Sequence, residues 1–263
     1  MALLPGASPP LKEAITLARV LIINADDLGY DPGITRGILH ALREGAVSSA
    51  TLLVNAPDSE HAARQARGLA IGLHLNLDRG PPVDPGFPSG WRTVDGSLAG
   101  ARVGELPADV VEAEALAQLE RLERLLGQAA THLDVHKHLH RHPQVLEGLS
   151  RVARRAGLPV RSIDAAMRGA LRARGVATNT HFVGESGETA YWTQERFSAA
   201  LAALPAEGVT EWMCHPGHLP EVVTTRYASQ REVELATFLN ARSREALARA
   251  AIQPTDYRVL TRA

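Results

Sequence analysis

The sequence predicts an α/β protein, a single domain whose parallel strands close into a TIM-like (β/α) barrel with its site at the strand C-terminal ends. Short apolar runs alternate with amphipathic segments along the 263 residues, a pattern typical of a parallel sheet. About seven such units follow one another without an internal repeat, which favours a closed or nearly closed barrel over an open sheet. Carboxylates and histidines follow several of the apolar runs, where such folds keep their sites.

The first unit begins with the apolar run at residues 20–24, which is typical of a strand buried on both faces. Asp26 and Asp27 follow it almost at once. Adjacent carboxylates repel one another unless a cation or a shared proton relieves the repulsion. A turn with a helix cap is the alternative, but it explains Asp31, which precedes Pro32 and Gly33, better than it explains the pair. We therefore expect Asp26 and Asp27 to have a functional role.

The remaining elements continue the alternation. Helices are predicted over residues 34–43, 57–67, 109–127, 143–156, 163–174, 192–204 and, as one or two helices, 226–247. Strands are predicted over residues 48–54, 69–77, 131–142, 158–161, 176–183, 208–214 and 255–260. The Gly/Pro-rich residues 79–104 are expected to form a long loop that covers the site as a flap.

A histidine-rich stretch lies between Thr131 and Pro143. It contains five of the 11 histidines, His132, His136, His138, His140 and His142. Alternate residues of an extended strand share one face, so we expect His136, His138 and His140 to lie together, beside Asp134. Imidazole is the commonest protein ligand of transition metals. A solvated loop is the alternative, and the cluster alone does not decide between the two.

All strands of a parallel barrel end on one face, so the polar residues at their ends are expected to meet there. These residues are Asp26, Asp27, His74, His136, Arg161 and His215. His74 could equally be a satisfied core residue, although Asn76 shares its face. A carboxylate and two imidazoles make a metal site with open positions for water and a substrate carbonyl. A spare carboxylate and a further histidine then suit acid–base hydrolysis of an amide or ester.

Composition excludes several other classes of function. A net charge of −1 and an aromatic content of 4% argue against a nucleic acid partner. No run approaches the roughly 20 apolar residues of a membrane span. The single Cys214 cannot form an internal disulfide, which fits a cytoplasmic protein. Without a Gly-x-Ser-x-Gly motif or a Gly-rich phosphate loop, a serine nucleophile and a nucleotide cofactor are not expected.

Four motifs in this order resemble the YdjC-like carbohydrate deacetylase family. They are Asn-Ala-Asp-Asp-Leu-Gly at 24–29, Gly-Leu-His-Leu-Asn-Leu at 72–77, Thr-His-Leu-Asp-Val-His-Lys-His-Leu-His at 131–140 with Pro143, and Met-Cys-His-Pro-Gly at 213–217. The resemblance implies a deacetylase barrel domain over residues 19–263, after a tail at residues 1–18 with a short helix at 11–18. Leu28, Lys137 and Leu139 depart from the usual family residues, but none of them replaces a proposed ligand.

The resemblance also implies roles for the matched residues. The family's metal ligands match Asp27, His74 and His136. Asp26 matches the catalytic base, and Arg161 resembles an arginine that orients it. His215 resembles the residue that acts as an acid or stabilises the tetrahedral intermediate. One divalent metal ion is implied, magnesium or zinc with cobalt and manganese as alternatives, together with an N-acetylated carbohydrate substrate and a homodimer.

The main hypothesis is therefore a metal-dependent hydrolase that removes an acetyl group from an N-acetylated sugar, oligosaccharide or glycoconjugate, cleaving a linear amide C–N bond. A metal-dependent phosphoesterase or lyase on the same barrel is one alternative, which Lys137, Arg141 and Arg161 keep open. A non-catalytic sugar-binding protein is another, although a pure binder does not need the spare carboxylate of Asp26. The sugar, the metal and the roles of His138, His140 and the tail stay open.

Overall fold

The computed structural model describes residues 19–261, so the predicted tail and short helix at residues 1–18 lie outside the described residues. Within that range the strands are β1 (Val20–Leu28), β2 (Ser49–Leu52), β3 (Ile71–Leu75), β4 (Leu133–Val135), β5 (His181–Val183) and β6 (Val209–Cys214). They form one sheet in the order β4-β3-β2-β1-β6-β5, and every pair is parallel. The predicted parallel α/β architecture is confirmed.

Helices connect these strands. In residues 19–261 the α-helices are α1 (Pro32–Glu44), α2 (Ser59–Gln65), α3 (Ala108–Leu126), α4 (Pro143–Ala156), α5 (Ala165–Ala173), α6 (Gln194–Ala202), α7 (Ser229–Leu239) and α8 (Ala241–Arg249). The prediction placed a helix at each of these positions. Local chemistry sets the bounds of α1, because the Asp31 side chain accepts a hydrogen bond from Gly33 N and Gly45 follows the last turn. No described helix is both long and apolar enough to cross a membrane.

The two faces of the sheet carry different chemistry. On β1, Leu21, Ile23 and Ala25 belong to the main hydrophobic core, which includes the buried faces of the helices. Alternate residues point to the opposite, inner face of the curled sheet. That face carries polar side chains at most 2% exposed: Asn24, Asp26, Thr51, His74, Asp134 and Glu211. The strands thus place a buried polar network inside a shell of apolar packing.

The closed barrel is not confirmed, because the strand ladder of the described residues runs from β4 to β5 and stays open. The predicted strand at residues 158–161 reduces to one bridge between Leu133 and Val160. Pro159 has no amide hydrogen to contribute to a ladder, so only isolated bonds form there. One of them runs from Val160 N to Ala177 O at 2.9 Å. The predicted strand at 176–183 is correspondingly short and comprises only β5.

The histidine-rich stretch is not an extended strand, so that prediction is wrong beyond Val135. Residues His136–Arg141 form a 3₁₀ segment in which Lys137 (φ 56°) and His138 (φ 53°) are left-handed. The chain has only this segment in which to leave the sheet before α4 begins at Pro143. The imidazoles at positions 136, 138 and 140 consequently do not line one strand face.

The predicted strand at residues 255–260 is also absent from the described fold. Thr255 makes a single bridge to Ile22, and Tyr257–Leu260 then forms a 3₁₀ turn capped by Asp256, whose side chain accepts from Arg258 N. Such a cap favours a helical turn over further ladder bonds. Tyr257 packs with Ile22 and Val209 in a small second hydrophobic cluster.

The loop that leaves β6 is fastened to α1. The buried Asp31 carboxylate accepts backbone hydrogen bonds from Glu221, Val222 and Val223. The loop also passes very close to Gly37, where an added Cβ would lie 2.5 Å from Gly217 Cα. This close approach sets the course of the chain that follows His215.

Gly37→Ala is therefore expected to destabilise the protein by about 1–3 kcal/mol, because the opposing atoms are backbone and cannot rotate away. Gly169 provides a matched control, since it also lies within a helix but has no atom within 4 Å of an added Cβ. Gly169→Ala should raise the stability by up to about 1 kcal/mol through helix propensity. Calorimetric unfolding of both variants measures the difference. Equal melting temperatures would rule out the tight contact.

Candidate active site

Asp27, His74 and His136 converge at the end of β1, the end of β3 and the turn after β4. Asp27 Oδ1 lies 3.3 Å from His74 Nε2 and 3.1 Å from His136 Nδ1. The two imidazole nitrogens are 3.2 Å apart. The structure thus brings the three residues predicted as metal ligands together, with one donor atom of each facing a common point.

The carboxylates around His74 make this point attractive to a cation. The His74 Nδ1 lies 2.6 Å from Asp134 Oδ1 and donates to it, so Nε2 is the ring nitrogen that faces Asp27. Asp27 Oδ1 is buried without a hydrogen-bond partner among residues 19–261. Burial lowers the pKa of His74, but Asp134, Asp27 and Asp26 outweigh burial and raise it to about 10. The carboxylates thus favour positive charge at this corner, either a proton on His74 Nε2 or a divalent metal ion that takes its place, and the carboxylate and imidazole donors fit such an ion.

A bulge in β1 allows two consecutive aspartates to serve one site. The pairing of β1 with β2 shifts register between Ala25 and Leu28, and Asp27 has a φ of 73°. In a regular strand, Asp26 and Asp27 would point to opposite faces of the sheet. The bulge re-aims Asp27, and aspartate is among the residues that best tolerate a left-handed backbone.

Asp26 is held by a bidentate ion pair with Arg161. Arg161 Nη1 donates to Asp26 Oδ2 at 2.7 Å, and Nη2 donates to Oδ1 at 2.6 Å. Asn24 Nδ2 donates a further bond to Oδ1 at 2.9 Å. Burial raises the pKa of Asp26, but the charge and hydrogen bonds of Arg161 outweigh it and hold the pKa well below its usual range. Asp26 is therefore ionised at neutral pH.

His215 lies at the end of β6 and lines the same cleft as Asp26 and Asp27. Its backbone N–H donates to Glu234 Oε2 at 2.6 Å, and its ring meets Tyr227 edge to face. Burial is the main reason why the pKa of His215 falls to about 4, despite the opposing carboxylates of Asp27 and Asp26. The imidazole is thus neutral at pH 7.

Two functional residues on α7 were missed by the sequence analysis. Arg231 Nη2 donates to Asp27 Oδ2 at 2.6 Å and so engages the carboxylate oxygen not shared with the histidines. Glu234 accepts from the backbone of His215 and from the Tyr227 hydroxyl. A signal was present, since Arg231 shares the helix face of Leu235 and Phe238, and a charge on an apolar face requires a buried partner.

The other histidines of the histidine-rich stretch do not join Asp27, His74 and His136. His138 Nε2 faces Met213 Sδ at 3.2 Å, and His140 is fully buried. Burial lowers the pKa of both rings, that of His138 to about 3. His132 lies below the site and stacks on Tyr257. His136, His138 and His140 were predicted to share one face, but of the three only His136 contacts Asp27.

The converging residues lie in a cleft of about 1060 Å³. Four cations that are not paired with Asp26 or Asp27 line it, Arg79, Lys137, Arg141 and Arg226. Arg79 is the only residue of the predicted flap that borders the cleft. Farther along that loop, Val83 N and Asp84 N donate to Glu114 on α3. The loop thus borders the cleft at one end instead of covering it, contrary to the prediction.

Comparison with known proteins finds relatives that match most of this chain. The family model for YdjC-like protein matches residues 20–249. A carbohydrate deacetylase of Geobacillus stearothermophilus is 34% identical over 256 residues, covering 92% of this chain and 98% of that protein. A chitooligosaccharide deacetylase of Serratia marcescens is 33% identical over 234 residues, covering 83% and 90%.

A solved structure agrees over nearly the whole chain. The crystal structure of an Enterococcus faecalis V583 protein, named as a candidate for cellobiose-phosphate cleavage, superposes with a TM-score of 0.80 at 25% identity. The match covers 92% of this chain and 99% of that one. Taken with the family match over most of its length, these similarities show that the chain belongs to the YdjC-like protein family.

Proposed function

We propose that this protein is a metal-dependent carbohydrate deacetylase, which hydrolyses the acetamide of an N-acetylated sugar, oligosaccharide or glycoconjugate. The observation that carries the proposal is a buried corner where Asp27 Oδ1 and two imidazole nitrogens converge beside the ionised carboxylate of Asp26. The names of the Geobacillus and Serratia relatives support a carbohydrate substrate.

Asp27, His74 and His136 would hold the metal ion, and three protein ligands leave positions open. A divalent ion bound there supplies a Lewis acid that polarises the acetyl carbonyl and lowers the pKa of water. Asp134 fixes the tautomer of His74, and Arg231 occupies Asp27 Oδ2, so both residues aim Oδ1 and Nε2 at the ion. The mixed carboxylate and imidazole set suits zinc, cobalt or manganese, with magnesium as the oxygen-preferring alternative.

Asp26 acts as the general base, and the hydrogen bonds around it single out one of its oxygens. Oδ1 accepts from both Arg161 Nη2 and Asn24 Nδ2, whereas Oδ2 accepts from Arg161 Nη1. A carboxylate oxygen has two lone-pair sites, so Oδ2 keeps one for the proton of the attacking water. Arg161 keeps Asp26 ionised and fixes the direction of that lone pair.

His215 stabilises the tetrahedral intermediate in this proposal. A pKa of about 4 means that the ring is not a preformed imidazolium at neutral pH. The neutral ring still carries one N–H, which it can donate to the negative charge that develops on the former carbonyl oxygen or to the nitrogen of the departing amine. The hydrogen bond from its backbone to Glu234 holds the ring at the cleft wall.

A metal-dependent phosphoesterase or lyase is the second candidate. The cations Arg79, Lys137, Arg141 and Arg226 of the cleft favour an anionic group on the substrate. The name of the Enterococcus faecalis relative points in the same direction. The Geobacillus and Serratia relatives, at 34% and 33% identity, favour the deacetylase over this alternative, because the Enterococcus protein is only 25% identical.

Metal-dependent release of acetate is the first expected outcome. Protein stripped by a chelator and refilled with single divalent metals is incubated with N-acetylglucosamine oligosaccharides and, in parallel, with sugar phosphate esters. Acetate, but not phosphate, should appear, and only after metal is restored. Phosphate release without acetate would replace the deacetylase with the phosphoesterase, and product formation by the stripped protein would remove the metal from the mechanism.

His74→Ala and His136→Ala should each lower the bound metal well below the wild-type stoichiometry, because each removes one of three protein ligands. His61→Ala is the matched control, since its side chain is 47% exposed on α2. Elemental analysis after dialysis, with calorimetric titration of one metal, measures the effect. Unchanged metal content in both site variants would contradict the assigned ligands.

Asp26→Asn should keep the metal and lose turnover by about 10²–10⁴-fold, the usual contribution of a general base. The amide retains the size of the carboxylate but cannot accept the proton from water. Steady-state acetate release and metal content are measured on the same preparation. An active, metal-replete Asp26→Asn enzyme would show that another group is the base.

A further inference from the structure

We propose that Tyr257 is a positioning residue for the reaction, because its hydroxyl fixes Glu211, which in turn fixes Arg161 and hence Asp26. The inference rests on the proposed function and deepens it. Tyr257 lies in the 3₁₀ turn beyond α8, whereas the family match ends at residue 249. A side chain outside the matched region thus reaches the network that holds the base.

A continuous line of hydrogen bonds connects Tyr257 with Asp26. The Tyr257 hydroxyl donates to Glu211 Oε2. Glu211 Oε1 accepts from Arg161 Nε at 2.9 Å and from Nη2 at 2.6 Å. Arg161 then donates from Nη1 and Nη2 to the two oxygens of Asp26. The four side chains are at most 2% exposed, so water does not compete for these bonds.

The geometry of Arg161 explains why Glu211 matters to Asp26. A guanidinium is planar and presents its donors in a rigid fork. One edge of the fork, Nη1 and Nη2, meets Asp26, while another, Nε and Nη2, meets Glu211. Carboxylates on these two edges, with Asp134 Oδ2 a further 2.8 Å from Nη1, fix the orientation of the plane. A shift of Glu211 would therefore turn Arg161 and move the lone pair of Asp26 Oδ2 that receives the proton.

Glu211 depends on Tyr257 because Arg161 occupies only one of its oxygens. Oε2 is buried, and a buried carboxylate oxygen without a donor carries a large desolvation penalty. The Tyr257 hydroxyl is the donor that satisfies Oε2. Removing that hydroxyl leaves Oε2 without its donor, so we expect Glu211 to turn and to change the bonds that Arg161 Nε and Nη2 donate to it.

The ring of Tyr257 is itself held by residues of two sequence motifs. It stacks on His132 with ring centroids 4.1 Å apart and planes 7° from parallel. His132 fits there because residue 72 is glycine, since a Cβ at Gly72 would lie 2.5 Å from His132 Nδ1. Thr131 Oγ1 lies 2.9 Å from the same nitrogen. Gly72 and His132, which the metal chemistry does not use, thus serve to place Tyr257.

Tyr257→Phe tests the proposal, because it removes only the hydroxyl and keeps the stacked ring. We expect kcat to fall about tenfold, the equivalent of one hydrogen bond to a charged group, with KM and metal content unchanged. Glu211→Gln should give a loss of the same kind. If both substitutions act through the same hydrogen bond, the kcat of the double variant should be no lower than that of the less active single variant. Independent structural damage would instead multiply the losses.

Tyr191→Phe is the matched control, because the Tyr191 hydroxyl makes no hydrogen bond among residues 19–261. It should retain wild-type kcat. A second readout does not need activity, namely the NMR signal of the Arg161 Nε–H group, assigned by its loss in Arg161→Lys. The Nε–H bond to Glu211 should slow its exchange with water in the wild type, and exchange should accelerate in Tyr257→Phe.

The two readouts separate failure of this proposal from failure of the proposed function. If the wild type releases no acetate from any sugar, the proposed function fails, and the Arg161 signal alone decides whether Tyr257 positions Arg161. Unchanged kcat or an unchanged Arg161 signal in Tyr257→Phe would overturn the proposal. The kcat of Tyr257→Phe is also measured at temperatures well below its unfolding transition. If the loss disappears there, Tyr257 has only a structural role, and the proposal is overturned.

Discussion

The buried charge of Arg161 is the constraint on which the interior of this protein depends. The guanidinium is fully buried and contacts three carboxylates, those of Asp26, Asp134 and Glu211. A buried charge is tolerated only where partners surround it, and removing one partner of such a group typically costs about 3–5 kcal/mol. These partners come from β1, β4 and β6, so the inner faces of three strands must meet at one point. The position of Asp26, the proposed base, and the stability of the fold therefore depend on the same ion cluster.

Asp134 joins this cluster to the candidate metal site formed by Asp27, His74 and His136. Its Oδ2 meets Arg161 Nη1 at 2.8 Å and accepts from Thr51, while its Oδ1 accepts from His74 Nδ1. One carboxylate thus sets both the proton position on His74, the proposed metal ligand, and the position of Arg161, which holds the proposed base. The charge of an ion held by His74 would reach Asp26 through three side chains, those of His74, Asp134 and Arg161. Such coupling explains why so many polar groups lie at the centre of a fold whose outer shell is apolar.

Much of the fold followed from local pattern. Apolar runs located the strands, and the turn and cap residues Asp31, Pro32 and Gly33 placed the start of the first helix within two residues of the observed start at Pro32. The open sheet was not predicted, because the bonds around Pro159 and Val160 depend on β4 and on residues near Ala177, which are distant in the chain. The histidine-rich stretch was wrongly predicted to be a strand for a similar reason. Its period of two resembles a strand, but the start of α4 forces a turn there.

The sequence by itself determined which side chains meet at the end of the sheet, because parallel strands bring their carboxyl ends together whatever their exact lengths. Asp26, Asp27, His74, His136, Arg161 and His215 were all identified in this way. Only the tertiary structure decided how they are oriented. The bulge at Asp27, the reach of Arg231 and Glu234 from α7, and the line from Tyr257 to Arg161 all join residues far apart in the chain. The periodicity of a sequence reports only local backbone geometry. The orientation of a buried charged side chain depends on partners that lie far away in the chain.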